Sequence, residues 1–561
     1  MRTTPDARVR ELTERGLWGT ATAVSLFRDA VRDVPDRTAL VDPPDRQGLD
    51  GQAPRRLTFA QLGEEVTQMG ACLRANGIRR DDIVVAQLPN VVDQIIIYLA
   101  LMELGAIVCP VPTQYGTHEL RHIVAETSPR AFLSVAQLKG SPLLEARRSA
   151  FPTDTVVGAV GDHPDQDVLA LSNPAPSEAE LAEHQAQCER WTPDANDINT
   201  LCWTSGTTGT PKGVPRHHNH WIAQSANTAR GGSIADGVAM LNPFPFVNMA
   251  SFGGFFYLWL MYRGKLVLHH PFDLPTFLGQ LVDEQINYTV AAPTVLNRLL
   301  HGDALDGLDL SHLKLIASGS ATMAPSMLRG YAERYQVEIA NMYGSNEGVS
   351  MVGSAATVPD PEKRANYFPR FGAQGMTWEN PAGMRTKIVD VETHREVTEP
   401  GVPGELLYWG PSMFDGYWNS PEANQQVFED DGFFHSGDLL EIVPEDPRFY
   451  RIIGRTKDII VRGGMKLSPE ELDVLIAGCD AVAEGAVVGY PDDDMGERVC
   501  AVVVPRPGMT LTLPELTTYL KARGLATYKL PERLLTTDEL PRNPLGKLVR
   551  KDLSDWVAQQ E

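Results

Sequence analysis

The sequence predicts an α/β protein: a large N-terminal domain of parallel or mixed sheets flanked by helices, then a small α+β C-terminal domain. Three observations predict it. Apolar strand-like runs alternate with helical stretches from Thr58 onward. The 561 residues give room for several domains. After Tyr450 a final segment of about a hundred residues carries its own strands and helices, a size suited to a separate small domain.

Thr58 to Gly77 reads as a helix marked at both ends. Thr58 and Gln61 form a capping box, Leu62, Val66, Met69 and Leu73 share one face, and Gly77 stops it. Ile83 to Leu88 is a buried strand ended by Pro89. Val91 to Leu104 is helical and Ala106 to Val111 is again strand-like. Between Asp162 and Asp197 the composition shifts to Pro, Asp, Glu and Ser, which predicts a long surface excursion or linker. Ile198 to Trp203 is a strand. In the last segment, Ala486 to Val488 and Val499 to Val504 are strands and Pro514 to Arg523 is a helix. The sequence has no internal repeat.

Apolar residues make up 43% and charged residues 22%, with a net charge of −22. An acidic surface of this size argues against non-specific nucleic-acid or anionic-membrane binding, and leaves a locally positive pocket possible. Six cysteines without a C-x-x-C pair predict buried thiols in a reducing compartment, hence a cytoplasmic protein. The N-terminal MRTTPDARVRELTERG has no apolar signal core. The charge-free stretch Gly237 to Tyr262 is broken by Asn and Pro, and only Met249 to Tyr262 is consistently apolar, short of the ~20 residues a membrane span needs.

The run Trp203 to Val214, WTSGTTGTPKGV, directly follows a strand. Gly206 and Gly209 let the backbone bend and approach a ligand, Thr204, Ser205, Thr207, Thr208 and Thr210 offer hydroxyls, and Lys212 brings a positive charge. This is the chemistry of a phosphate loop, though not the Walker pattern, since Gly213 rather than Ser or Thr follows Lys212. Further motifs follow in order: YGSNEG at Tyr343, GELLYWGPSMFDGYW at Gly404, HSGD at His435, GRTKDIIVRGGMKLSPEELD at Gly454 and PRNPLGKLVRKDL at Pro541. On these six motifs, which span nearly the whole chain, the sequence resembles the adenylate-forming enzymes: acyl-CoA synthetases, peptide-synthetase adenylation domains and firefly luciferases.

The resemblance implies two half-reactions, attack of a carboxylate on the α-phosphate of ATP and attack of a thiol on the acyl-adenylate. It implies that Thr204, Ser205, Gly206, Thr207, Thr208, Gly209 and Lys212 cradle the β- and γ-phosphates. Mg²⁺ would be held by Glu347 and the Thr204 hydroxyl, oxygen donors suited to a hard cation. Tyr343 and Gly344 would lie at the adenine, with the backbone of Gly319, Ser320 and Ala321 across from it. Asp438 would accept the ribose hydroxyls, supported by Arg455. Lys547 would bridge carboxylate and phosphate in adenylation. Lys457 would be the hinge between domains 1–456 and 457–561, with a mobile C-terminal domain that exchanges Lys547 for Gly463 and Gly464, the thiol channel.

Three positions depart from the family pattern. Asn346 replaces the usual Thr and keeps an amide donor for the α-phosphate. Phe246 stands at a position often His, where it gates the thiol channel. Lys466 stands where acyl-CoA synthetases commonly have Asn, as in aryl-acid adenylating enzymes that load carrier proteins; those follow the gate with Asn, whereas this chain has Val247. Phe246, Val247, Phe252, Gly344 and Val349 are the expected acid pocket, apolar and roomy, with Met249, Phe255 and Phe256 in the same segment. The resemblance implies an ATP-dependent ligase joining a hydrophobic (medium-chain, alicyclic or aromatic) acid to CoA. The alternatives are loading of a carrier-protein phosphopantetheine and a catalytically silent nucleotide-binding scaffold, the latter opposed by intact Lys547, Glu347 and Asp438.

Overall fold

The computed structural model describes residues 1–561 except 205–210, 233, 320–322, 377–382, 457, 463–464, 493, 524, 526, 544–545 and 561, and except the side chains of 231, 461, 465 and 466. Two large sheets dominate. The first has seven strands in the order Leu169–Ala170, Val156–Val160, Ala131–Val135, Ile83–Gln87, Ile107–Pro110, Ile198–Trp203, Gly213–His217. All its pairs are parallel except the last, an antiparallel hairpin. The second has eight strands, from Ser350–Gly353 through Glu338–Gly344, Leu315–Gly319, Tyr288–Val290, Ala239–Asn242, Lys265–Leu268 and Thr38–Val41 to Arg56–Thr58. It is parallel with an antiparallel strand at each edge.

Parallel strands need helical crossovers on both faces, and the core follows from that. One large cluster lies between the two sheets, taking Val84, Val108 and Leu133 from the first, Leu40, Met240 and Leu266 from the second, and the helices between them. The helix Val92–Leu104 is buried at every position but Glu103, because it packs between the strand Ile107–Pro110 and the helices Ala23–Asp33 and Phe59–Ala75. The helix Phe59–Ala75 begins in the expected capping box of Thr58 and Gln61, and Gly77 at φ +87° turns the chain away. Met249 to Tyr262 is a buried segment of the same core, with a π-turn at Phe252–Phe256. Among the described residues no helix is long and apolar enough to cross a membrane.

The stretch from Asp162 to Asp197 differs from expectation. It holds the edge strand Leu169–Ala170 and a 13-residue helix, Glu178–Arg190. Ser177 caps that helix reciprocally with Glu180, and His184 is buried beneath it. Its composition is that of a loop, but one buried side and a good cap suffice when a neighbouring helix supplies the packing surface.

A third, antiparallel sheet of five strands includes Pro403–Trp409, Phe434–Ile442 and Phe449–Arg455. The fourth pairs Val482–Asp492 with Gly496–Pro505 and carries one cluster on each face. It meets the third sheet at Ile453, whose carbonyl accepts from the Ser468 hydroxyl. A Cβ on Gly454 would lie 2.6 Å from a Glu470 carboxylate oxygen and 2.8 Å from the Ser468 hydroxyl, so a side chain there would displace both groups.

Thr58→Ala removes half of the reciprocal cap. It is expected to destabilise the protein by about 1 kcal/mol in urea unfolding. No change would mean that the helix start is set by packing alone.

Candidate active site

The strands Ile198–Trp203 and Gly213–His217 form a hairpin whose connecting loop carries the predicted phosphate-binding run. Its neck is closed by the Thr204 amide donating to the Lys212 carbonyl at 3.0 Å and the Lys212 amide donating to the Thr204 hydroxyl at 3.4 Å. Ser205, Gly206, Thr207, Thr208 and Gly209 lie outside the described residues, as do Ser320, Ala321, Lys457, Gly463 and Gly464. The Lys212 ammonium sits 4.9 Å above the Tyr417 ring. The Tyr417 hydroxyl donates to Glu347 Oε1 at 2.8 Å.

Lys212, Tyr417 and Glu347 therefore form one chain of contacts, and Tyr417 is a member that sequence reasoning did not single out. Its signal was the DGYW end of the GELLYWG motif. The same segment is pinned at the backbone. The Phe414 amide donates to the Glu347 carbonyl at 2.8 Å and the Ser412 hydroxyl to the Gly348 carbonyl at 2.8 Å. Gly348 has φ +111°, and a Cβ there would lie 2.0 Å from the Ser412 carbonyl oxygen. Only glycine fits.

Asp438 and Arg455 are cross-strand partners of the third sheet. Arg455 Nε lies 3.0 Å from Asp438 Oδ1, and the Tyr343 hydroxyl donates to Oδ2 at 2.5 Å. Burial raises the Asp438 pKa against the pull of Arg455 and of this hydrogen bond. Tyr343, expected against the adenine, thus also holds the acid expected at the ribose. Gly319 ends its strand beside Met342, whose carbonyl oxygen would be 2.1 Å from a Cβ.

Lys547 stands in the cleft facing this group. Its side chain is open to solvent, yet protein crowds it on several sides, and that crowding, followed by the Arg455 guanidinium, lowers its pKa against the attraction of Asp438 and Glu347. Residues from all six motifs thereby share one cleft.

Asn346 differs from expectation. Its Oδ1 accepts from the Met249 amide at 2.8 Å and its Nδ2 donates to the Trp203 carbonyl at 3.3 Å. The amide braces the start of the phosphate loop against the Met249 turn, and is already engaged at both ends before any phosphate arrives.

Of the residues expected to form the acid pocket, all but Gly344 are buried in this structure. Phe246 and Phe252 have no accessible surface, Val349 is 1% exposed and Val247 5%. Phe252 stacks on Tyr98 and Trp221 at 5.9 and 5.4 Å. Tyr98 donates its hydroxyl to the Phe246 carbonyl. Val349 packs into the cluster of the third sheet. These side chains are buried in the core, where aromatic rings find better burial than at a surface. The accessible groups beside them are Met249, Ala250 and Gly344. The Met249 methyl would lie 2.4 Å from a Cβ at Gly344.

Residues 27–418 match the AMP-binding enzyme family and residues 471–547 its C-terminal domain, AMP-binding enzyme C-terminal domain. The chain belongs to the AMP-binding enzyme family. This family member is 31% identical to Triostin synthetase I of Streptomyces triostinicus, over 98% of this chain and 97% of that protein. It is 29% identical to 2-hydroxy-7-methoxy-5-methyl-1-naphthoate–CoA ligase of Streptomyces carzinostaticus, over 98% and 95%. It shares its fold with ATP-bound MatB from Rhodopseudomonas palustris, at TM-score 0.77 and 24% identity over 96% of this chain and 99% of that one.

His435, in the HSGD motif, has a supporting place. Its Nδ1 lies 3.0 Å from Glu405 and its Nε2 2.9 Å from Glu429, while Glu405 also accepts from the Gly437 amide. The Glu405 hydrogen bond, helped by Glu429, raises the His435 pKa despite partial burial. These ion pairs stabilise the fold fully below the unfolded-state pKa of about 6.5 and are lost as pH rises through the higher folded-state value. The stability gap between the wild type and His435→Gln should therefore be largest near about pH 6 and shrink toward about pH 9. A gap independent of pH in urea titrations would count against this pairing.

Proposed function

We propose that this protein is an AMP-forming acid–thiol ligase that converts a hydrophobic carboxylic acid, ATP and CoA to acyl-CoA, AMP and pyrophosphate. The observation that carries the reading is the gathering in one cleft of the Tyr343–Asp438–Arg455 group and the Lys212–Tyr417–Glu347 chain, within electrostatic reach of Lys547 from the last motif. In adenylation the acid's carboxylate oxygen attacks the α-phosphorus and the bond to pyrophosphate breaks. Lys547 stabilises the charge that develops between them. Lys212 and the loop Thr204 to Gly209 take the outer phosphates. Asp438, held by Tyr343 and Arg455, accepts the ribose hydroxyls. Glu347 and Thr204 offer hard oxygen donors and would hold Mg²⁺, which supplies charge neutralisation on the phosphates. In the second half the thiol sulfur attacks the acyl carbon and AMP leaves.

We take residues 1–456 and 457–561 as the two domains, with Lys457 as hinge and Gly463 and Gly464 lining the thiol channel after rotation. The hydrophobic character of the acid rests on Met249 and Ala250 at the accessible wall. The six free cysteines, four of them buried, support a cytosolic setting. The deciding experiment is acid-dependent pyrophosphate release over a panel of carboxylic acids, with and without CoA. Release with apolar acids and acceleration by CoA is expected. Adenylate that passes only to a carrier-protein phosphopantetheine would replace CoA as acceptor, and no release with any acid would favour a silent scaffold.

Lys547→Ala should slow adenylate formation by ~10²–10³-fold, the usual cost of losing one preorganised charge-stabilising group. Conversion of supplied acyl-AMP to acyl-CoA should stay within about twofold. Equal loss in both halves, read by single-turnover kinetics, would sink the assignment. Met249→Ala should shift preference toward longer acids by ~1–3 kcal/mol per added methylene in kcat/KM. An unchanged acid profile would remove Met249 from the pocket.

A further inference from the structure

The segment that holds Glu347 is itself held from the far N-terminus. The helix Asp6–Glu14 and the residues around it lie across Gly410 to Asp415. Arg8 contacts that segment at three points: its Nη2 donates to the carbonyls of Gly410 at 3.2 Å and Met413 at 3.1 Å, and its Nε lies 3.3 Å from Asp415 Oδ1. The Thr4 hydroxyl donates to Asp415 Oδ2. Trp18 Nε1 donates to the Pro411 carbonyl at 3.0 Å. The Asp415 side chain is only 3% exposed and has His220 Nε2 3.5 Å away.

On its other side the same segment meets Glu347 directly. Phe414 and Tyr417 donate to its carbonyl and carboxylate, and Ser412 donates to Gly348. Gly348 leaves no slack, since its backbone is pressed against Ser412. A displacement of the segment at Arg8 therefore reaches the Glu347 carboxylate through three short bonds.

His217, His220 and Asp415 cluster closely enough to suggest a metal centre, but the ring nitrogens argue otherwise. Both Nδ1 atoms accept from backbone amides, at 3.2 and 3.4 Å, which places the proton of each neutral ring on Nε2. Burial lowers both pKa values, so the rings stay neutral. The two Nε2–H groups therefore offer no lone pair to a cation; neither has a hydrogen-bond partner among the described residues, and that of His220 lies 3.5 Å from Asp415 Oδ2.

We propose that Arg8 is a positioning residue for adenylation: by fixing Gly410 to Asp415 it sets the Glu347 carboxylate for the divalent cation. This rests on the metal role proposed for Glu347. A fork contacting three points of one segment is a task for guanidinium, and lysine supplies a single point charge in its place. Outer-layer partners of metal-holding groups commonly change metal affinity by about 10–100-fold when removed.

The test measures Mn²⁺ binding to the full-length enzyme with α,β-methylene-ATP, by electron paramagnetic resonance, alongside thermal melting. Arg8→Ala should weaken Mn²⁺ binding about tenfold. Affinity for the nucleotide without metal should hold within about twofold, and Arg8→Lys should recover part of the loss. Glu347→Gln is the control. If it weakens Mn²⁺ binding and Arg8→Ala does not, the positioning role is wrong. If Glu347→Gln leaves Mn²⁺ binding unchanged, the metal role of Glu347 fails first. A lower melting temperature with unaltered Mn²⁺ affinity makes Arg8 merely structural and overturns the proposal. Should Arg8→Ala not fold, Thr4→Val removes one hydroxyl from the same carboxylate and must shift Mn²⁺ affinity in the same direction, and no shift overturns the proposal.

Discussion

The arrangement depends on one buried cation. Arg216 has no accessible surface and stands between the two large sheets, on the hairpin strand that follows the phosphate loop. Its Nη1 donates to the Asn346 carbonyl at 2.6 Å, its Nη2 to the His220 carbonyl at 3.3 Å, and its guanidinium lies over Trp221 at 4.1 Å. Burial lowers its pKa to about 10, against the attraction of Cys202, Glu347 and Asp415. A sealed charge tolerates little displacement of its partners. Arg216 thereby ties the end of the strand Glu338–Gly344 to the hairpin, and the phosphate loop, the Asn346 brace and Glu347 inherit a common frame.

The charge distribution follows the same logic. The chain carries −22 overall. Lys212, Arg455 and Lys547 nonetheless converge where Glu347 and Asp438 are the local acids. An anionic nucleotide entering such a cleft meets fixed cations against an acidic exterior that repels other polyanions.

What could be read from the sequence divides by the kind of signal. The strand Ile198–Trp203 and the helix after Thr58 were legible because caps, glycines and apolar runs are local. The polar residues that meet in the cleft could be singled out because each stands in an ordered motif. The helix Glu178–Arg190 was not, since its Pro- and Glu-rich approach looks like a loop until a packing partner is known. The burial of the segment around Phe252 was hidden for a related reason. A run of phenylalanines has the same signature in a pocket lining as in a core, and only the stacking of Phe252 between Tyr98 and Trp221 decides between them. Tyr417 and the Arg8 contacts were hidden because their meaning lies in partners far away along the chain.

That distance has a consequence for how the protein is made. Trp18 and Pro411, joined by a hydrogen bond, are 393 positions apart, and Arg8 and Gly410 are 402 apart. The helix Asp6–Glu14 leaves the ribosome long before the surface it covers exists, and its own burial is slight, with Leu12 its single buried residue. Closing so long a loop is slow, and local propensity does nothing to hasten it. Met1 and Trp18 can meet Ile198 and His217 once the first large sheet has formed, but the contacts of Arg8 and Trp18 with residues 410–415 must wait for the third sheet.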